Sequence, residues 1–89
     1  MPGIIVPIEM MFETAREYSH GAKDISKLQG NLEKKMKVLE ESWSDASNQQ
    51  FFRYYRELDQ QFGVCIQIME VMAREMNAIA ERYEDLNKA

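Results

Sequence analysis

Between Phe51 and Leu86 the apolar side chains recur at alternating steps of four and three: Phe51, Tyr55, Leu58, Phe62, Cys65, Met69, Met72, Met76, Ile79, Tyr83 and Leu86. Such steps keep residues on one side of an α-helix, whereas a strand needs alternation by two. The heptad position on the far side, Gln60, Gln67, Arg74, Glu81 and Lys88, is polar throughout. The spacing predicts a helix over about 46–87. The first half follows the same rule with one slip near Leu28: Ile8, Met11, Ala15, Tyr18, Ala22, Ile25, Leu28, Leu32, Met36, Leu39 and Trp43. Helix is predicted there over about 8–41. Pro7 suits the first turn, where a missing N–H costs nothing. Gly21 and Gly30 each weaken the helix by about 1 kcal/mol relative to alanine.

Only the segment from Ser42 to Asn48 interrupts the two patterns. Ser42 and Asp45, or Ser44 and Ser47, can offer side-chain oxygens to the free N–H groups of the second helix. Asp45 also tolerates a left-handed backbone better than most residues. A connection this short, about 42–46, makes long helices antiparallel neighbours. The expected fold is all-α: one domain, residues 1–89, forming an antiparallel two-helix hairpin roughly 60 Å long at ~1.5 Å per residue.

Two helices cover only one stripe of each other, and the second is apolar well beyond one stripe. Phe52, Ile66, Ala73 and Ala80 lie on one flank of its seam, Tyr54 and Ile68 on the other, and Val64, Val71 and Ala78 form a further row. Large exposed apolar patches mark partner surfaces. The hairpin is therefore expected to pair with a second hairpin in a four-helix bundle dimer. A homodimer and a heterodimer need the same stripe, and both remain open. Phe51, Phe52, Tyr55, Leu58, Phe62, Met69, Met72, Met76 and Ile79 are the expected hairpin and dimer packing residues.

Composition narrows function. With 45% hydrophobic and 29% charged residues the chain is globular rather than disordered. Eleven basic against fifteen acidic residues give a net charge of −4, which argues against binding nucleic acid or an anionic membrane surface. One cysteine makes no internal disulfide, and Cys65 with the single His20 makes no zinc site. No apolar run is long enough to span a bilayer, and no cleavable signal peptide opens the chain. By itself this reads as a protein that stays in the cytoplasm or leaves by an unconventional route. No nucleophile–base set, phosphate loop or Glu-x-x-His pattern is present, so neither catalysis nor a cofactor is expected.

Three further features have mainly structural readings. Cys65 in the seam is expected to be a small buried hydrophobe, and Met69, Met72 and Met76 to be core fillers, although methionines also suit adaptable partner surfaces. The run from Glu33 to Lys37, EKKMK, reads as a solvated face. The aromatic–arginine cluster from Phe51 to Phe62 could stack nucleotides, but its aromatics already belong to the seam and its flanks.

The tryptophan in the central turn, the hairpin length, the acidic balance and the opening Ile5-Val6-Pro7 together resemble the WXG family. Its members are small secreted helical-hairpin proteins, the early-secreted-antigen-like substrates of bacterial type VII secretion. The family motif reads here as Trp43-Ser44-Asp45, with Ser47 at a small position and Phe51 at an aromatic one. Asp45 stands where the motif has glycine. The family's export signal pairs the tryptophan turn of one subunit with a C-terminal Tyr-x-x-x-Asp/Glu of its partner. Here Tyr83 is followed four residues later by Asn87, with Asp85 nearby, while Tyr55 and Asp59 have the spacing early in the second helix.

The resemblance implies secretion without a cleavable signal, and partner recognition by Trp43, Ser44, Asp45, Tyr83 and Asp85. It implies the secretion ATPase and a larger toxin-like cargo as partners. The departures leave open an exported substrate, a co-secreted partner whose mate carries the signal, and a non-secreted relative or adaptor. The competing reading is a structural helical-hairpin subunit or coiled-coil adaptor unrelated to type VII secretion.

Overall fold

The computed structural model describes residues 6–43 and 45–88. Two antiparallel helices, α1 (Ile8–Ser42) and α2 (Asn48–Lys88), form a rod of 70 × 18 × 13 Å. Pro7 stands just outside α1, at the cap position. Its φ of −80° is close to the angle its ring imposes, and its carbonyl accepts the Met11 N–H at 2.9 Å. At the other end the Trp43 N–H closes on the Leu39 carbonyl at 2.7 Å. Trp43 itself is extended (φ −109°, ψ 95°), and that terminates the helix.

The seam between the helices runs one step round α2 from the row that the sequence suggested. Phe52, Asp59, Ile66, Ala73 and Ala80 alternate with Tyr55, Phe62, Met69 and Met76, all buried or half-buried. The two rows share Tyr55, Phe62, Met69 and Met76, so periodicity alone separates them poorly. Side-chain size separates them. Ala73 and Ala80 on α2, with Ala15 and Ala22 on α1, are among the few fully buried residues. Small side chains let the axes approach, and Met72 and Ile79 in their places would hold them apart.

Phe51, Leu58 and Met72 consequently stand 48%, 45% and 39% exposed, and Ile79 is half-buried. The expectation that Cys65 is buried in the seam is corrected for the same reason: it lies in this outer row and is exposed.

The slip near Leu28 has a related explanation. Gln29, not Leu28, continues the α1 seam after Ile25, and Leu28 is left exposed. Gln29 Nε2 donates to Asp59 Oδ1 at 3.0 Å and to the Asp59 carbonyl at 3.3 Å. One polar layer therefore crosses an otherwise apolar seam. Among apolar layers a helix can slide by a heptad at modest cost, but a slide here would strand a carboxylate and an amide away from their partners. The pair fixes the alignment and brings Ala15 level with Ala73. Ion pairs do much less, since Lys37–Glu33 and Lys88–Glu84 are exposed contacts within single helices.

Gly21 has a specific task. A Cβ there would sit 2.5 Å from Met69 Cε, so the glycine makes a notch that the methionine fills. Nothing lies within 4 Å of the corresponding position at Gly63. Replacing Gly63 with alanine should therefore stabilise the protein by roughly 0.5–1 kcal/mol from helix propensity alone. Gly21→Ala should gain less, because Met69 must move; urea unfolding of the two variants measures the difference. Ala73→Asp places an unpaired carboxylate in the seam and should cost on the order of 3 kcal/mol, read as lost helicity or a lower midpoint.

Candidate functional site: the aromatic turn and the apolar face

The turn is built around the carboxylate of Asp45. Its Oδ1 accepts the Ser47 backbone N–H at 2.9 Å, the Ser47 hydroxyl, and the Trp43 indole N–H at 3.1 Å. Asn48 closes the loop by donating its side-chain amide to the Trp43 carbonyl and its backbone N–H to the Asp45 carbonyl. The hydrogen bonds from Ser47, hydroxyl first and then backbone, hold the Asp45 carboxyl below its ordinary value; the indole adds a smaller contribution in the same direction. Because these bonds shape residues 45–47 as a turn, α2 starts at Asn48 rather than near residue 46. Ser42 does not cap α2; its hydroxyl donates back to the Val38 carbonyl at 2.8 Å.

No described residue has a positive φ. The aspartate therefore acts through its side chain, not through left-handed backbone. A glycine at this position could supply neither the turn acceptor nor the anchor for the indole.

Above this frame the tryptophan ring leans on two phenylalanines. Trp43 lies 5.6 Å from Phe51 and 5.9 Å from Phe52, centroid to centroid, both tilted by about 50°. Phe51 and Phe52 meet edge to face at 6.1 Å. Phe52 is buried under the cluster, Trp43 is half-buried, and Phe51 faces solvent. The cluster thus closes the end of the hairpin seam and begins the exposed apolar row.

That row continues down α2 through Leu58, Cys65, Met72, Ile79 and Leu86, with Tyr54, Ile68, Val64 and Val71 beside it. Met69, at the edge of the seam next to this row, reaches over Gly21 of α1. The α1 edge that carries Gly21 and Leu28 therefore adjoins the row, and the exposed Leu28 adds to the apolar face of α2.

The expected recognition residues are not together in one chain. Tyr83 and Asp85 are exposed near the C-terminal end of α2, some ~60 Å along the helix from Trp43 and Asp45 at ~1.5 Å per residue. Ser44 lies outside the described residues. Tyr55 and Asp59, which have the Tyr-x-x-x-Asp spacing, are engaged in the hairpin. Asp59 is held by Gln29, and Tyr55 is half-buried with its hydroxyl pKa pushed up by burial and by the nearby carboxylates of Asp59 and Glu33. Sequence reasoning missed Gln29 and Asp59, because polar residues are skipped when an apolar period is counted. The four-residue step from Ile25 to Gln29, which removes the slip, could have found the first of them.

Among the described residues no cluster of His, Cys, Asp and Glu converges as metal ligands do, and no helix is long and apolar enough to cross a membrane.

A helical hairpin whose turn is organised around one tryptophan, with a long apolar face beside it, is the class that fold and site define. The family model WXG100, proteins of 100 residues with WXG, matches residues 3–88. The chain belongs to the WXG100 family, known as small secreted proteins of type VII secretion. No curated protein and no solved structure matches it significantly.

Replacing Asp45 with alanine should free the indole, seen as a red-shifted Trp43 emission with helicity retained. The carboxyl pKa is depressed in the folded chain, so its contribution to the turn is full above the unfolded value and fades as pH falls through the folded one. Tryptophan emission of the wild type should then change below the ordinary aspartate range, and that of Asp45→Ala should not.

Proposed function

We propose that this chain is a recognition subunit of type VII secretion: a substrate, co-secreted partner or adaptor that pairs with a second hairpin in a four-helix bundle. The observation that carries this reading is the apolar face. Phe51, Leu58 and Met72 are each about half open to water, in a chain whose family is one of exported hairpins. A surface of that kind is stable in solution when another apolar surface covers it.

Within such a bundle the Trp43–Asp45 turn and the segment around Tyr83 and Asp85 act as recognition elements for the export ATPase or a larger cargo. Because they are at opposite ends of one hairpin, they form a composite site only when two hairpins lie head to tail. Asn87 stands where an acidic residue would complete the signal at Tyr83, which favours a role beside a mate that carries the full signal.

The test of export is co-expression with a type VII machine, scoring medium against cell pellet, alone and with each neighbouring small hairpin protein. The chain should reach the medium with at least one of these partners, and Trp43→Ala should stay in the pellet while keeping its helicity. Retention of the wild type under every pairing would remove the export role. Pairing has a separate prediction. Met72→Asp should preserve the hairpin, because Met72 lies outside its seam, but should lose partner binding on a sizing column.

A further inference from the structure

Near the middle of α2 a pair of sulfur atoms bridges the outer row and the edge of the seam, and neither the turn nor the export reading uses it. Cys65 Sγ lies 3.7 Å from Met69 Sδ, one helical turn away. A thiol is a weak donor and a thioether a weak acceptor, so their contact contributes little to the fold. We propose that this pair is a binding site for a soft monovalent metal ion, Cu(I), with the Cys65 thiolate and the Met69 thioether as its two protein ligands. The site is independent of hairpin pairing and of export, and its failure would leave both readings untouched.

Chemistry, distance and position agree on this assignment. Thiolate and thioether sulfurs are soft ligands that favour Cu(I), whereas zinc sites draw on several His, Cys, Asp or Glu side chains. Among the described residues no such group of three converges, so the pair offers sulfur alone. Two sulfurs 3.7 Å apart, each bonded at the ~2.3 Å usual for metal–sulfur bonds, subtend about 107° at a shared ion. That angle suits a three- or four-coordinate ion, and the two side chains need not move to reach it. Met69 is also held in place by the other helix. A Cβ at Gly21 would lie 2.5 Å from Met69 Cε and 4.0 Å from its Sδ, so the methyl sits in the notch and the sulfur stands at its rim, beside Cys65. A methionine restricted in this way loses less rotamer freedom on binding than one free in solvent.

Cys65 is exposed, so the ion is reached directly from solvent, and water or a small thiol from solution completes its coordination. On binding, the thiol proton passes to solvent and the two sulfurs each donate a lone pair. Copper enters and remains as Cu(I), so no electron is transferred. Met72 lies on the same side of α2 but stands roughly 10 Å along the axis from Cys65 at ~1.5 Å per residue, too far to share an ion held between Cys65 and Met69. It serves as the internal control.

The test is competition for Cu(I) between the reduced full chain and the chromophoric chelator bicinchoninate, without oxygen, with the ultraviolet thiolate–copper absorption as a second readout. The wild type should withdraw roughly one ion per chain. Cys65→Ser should abolish binding, and Met69→Leu, which keeps the thiol and the apolar volume, should weaken it on the order of tenfold or more. Gly21→Ala, which displaces Met69, should weaken it less, and Met72→Leu should bind as the wild type does. Circular dichroism of each variant checks that the helices are retained. A wild type that withdraws no copper overturns the site. Binding by Met69→Leu equal to the wild type also overturns it, since a solitary thiolate then holds the ion. An equal loss in Met72→Leu overturns it in favour of a diffuse methionine surface, and unchanged binding by Gly21→Ala overturns the positioning by the notch.

Discussion

The width of the apolar arc on α2 is the constraint from which the rest of the molecule follows. One helix packed against one other needs a stripe of two residues per heptad. α2 carries roughly twice that, because the positions before its seam residues (Phe51, Leu58, Cys65, Met72, Ile79) are also apolar. The hairpin can shelter only one of these rows. It takes the row that contains alanines, where the axes can come close, and leaves the bulkier row facing water. The buried seam and the exposed apolar row are therefore two outcomes of one competition between neighbouring rows of the same helix.

Two polar devices keep that competition from becoming disorder. The Gln29–Asp59 layer gives a single alignment to helices whose apolar layers would tolerate several. The Asp45 carboxylate does the corresponding work at the turn, joining the indole, the start of α2 and Ser47 through one oxygen. Both lie where purely apolar contacts are least directional. Together they hold the Trp43–Phe51–Phe52 cluster at a fixed point, the junction of the inner seam and the outer row. An aromatic residue placed there touches both: it closes the seam on one side and borders the exposed apolar row on the other.

The motif aspartate shows how a family position can change its physics without changing its place. Glycine in a turn supplies backbone freedom. Here the described backbone has no positive φ, and the side chain supplies hydrogen-bond acceptors instead. The turn remains short and the tryptophan remains at its head. What differs is that the indole N–H is tied to the chain's own carboxylate.

The sequence by itself determined that there are two helices, that they fold back on each other at Trp43, and that their apolar surface exceeds what a hairpin can cover. Those properties follow from steps of three and four, from one interrupting segment and from the number of apolar rows, all of which are local or countable. It also contained the tryptophan motif by which the chain resembles its family. Which of two overlapping rows faces inward was decided only in three dimensions, because the choice depends on how closely α1 and α2 approach and hence on alanines meeting across the seam. The placement of Cys65 and Met72 outside it, the Gln29–Asp59 layer and the Met69 notch at Gly21 have the same origin. The last two are contacts between residues thirty or more positions apart, and a period counted along one helix contains no information about its neighbour.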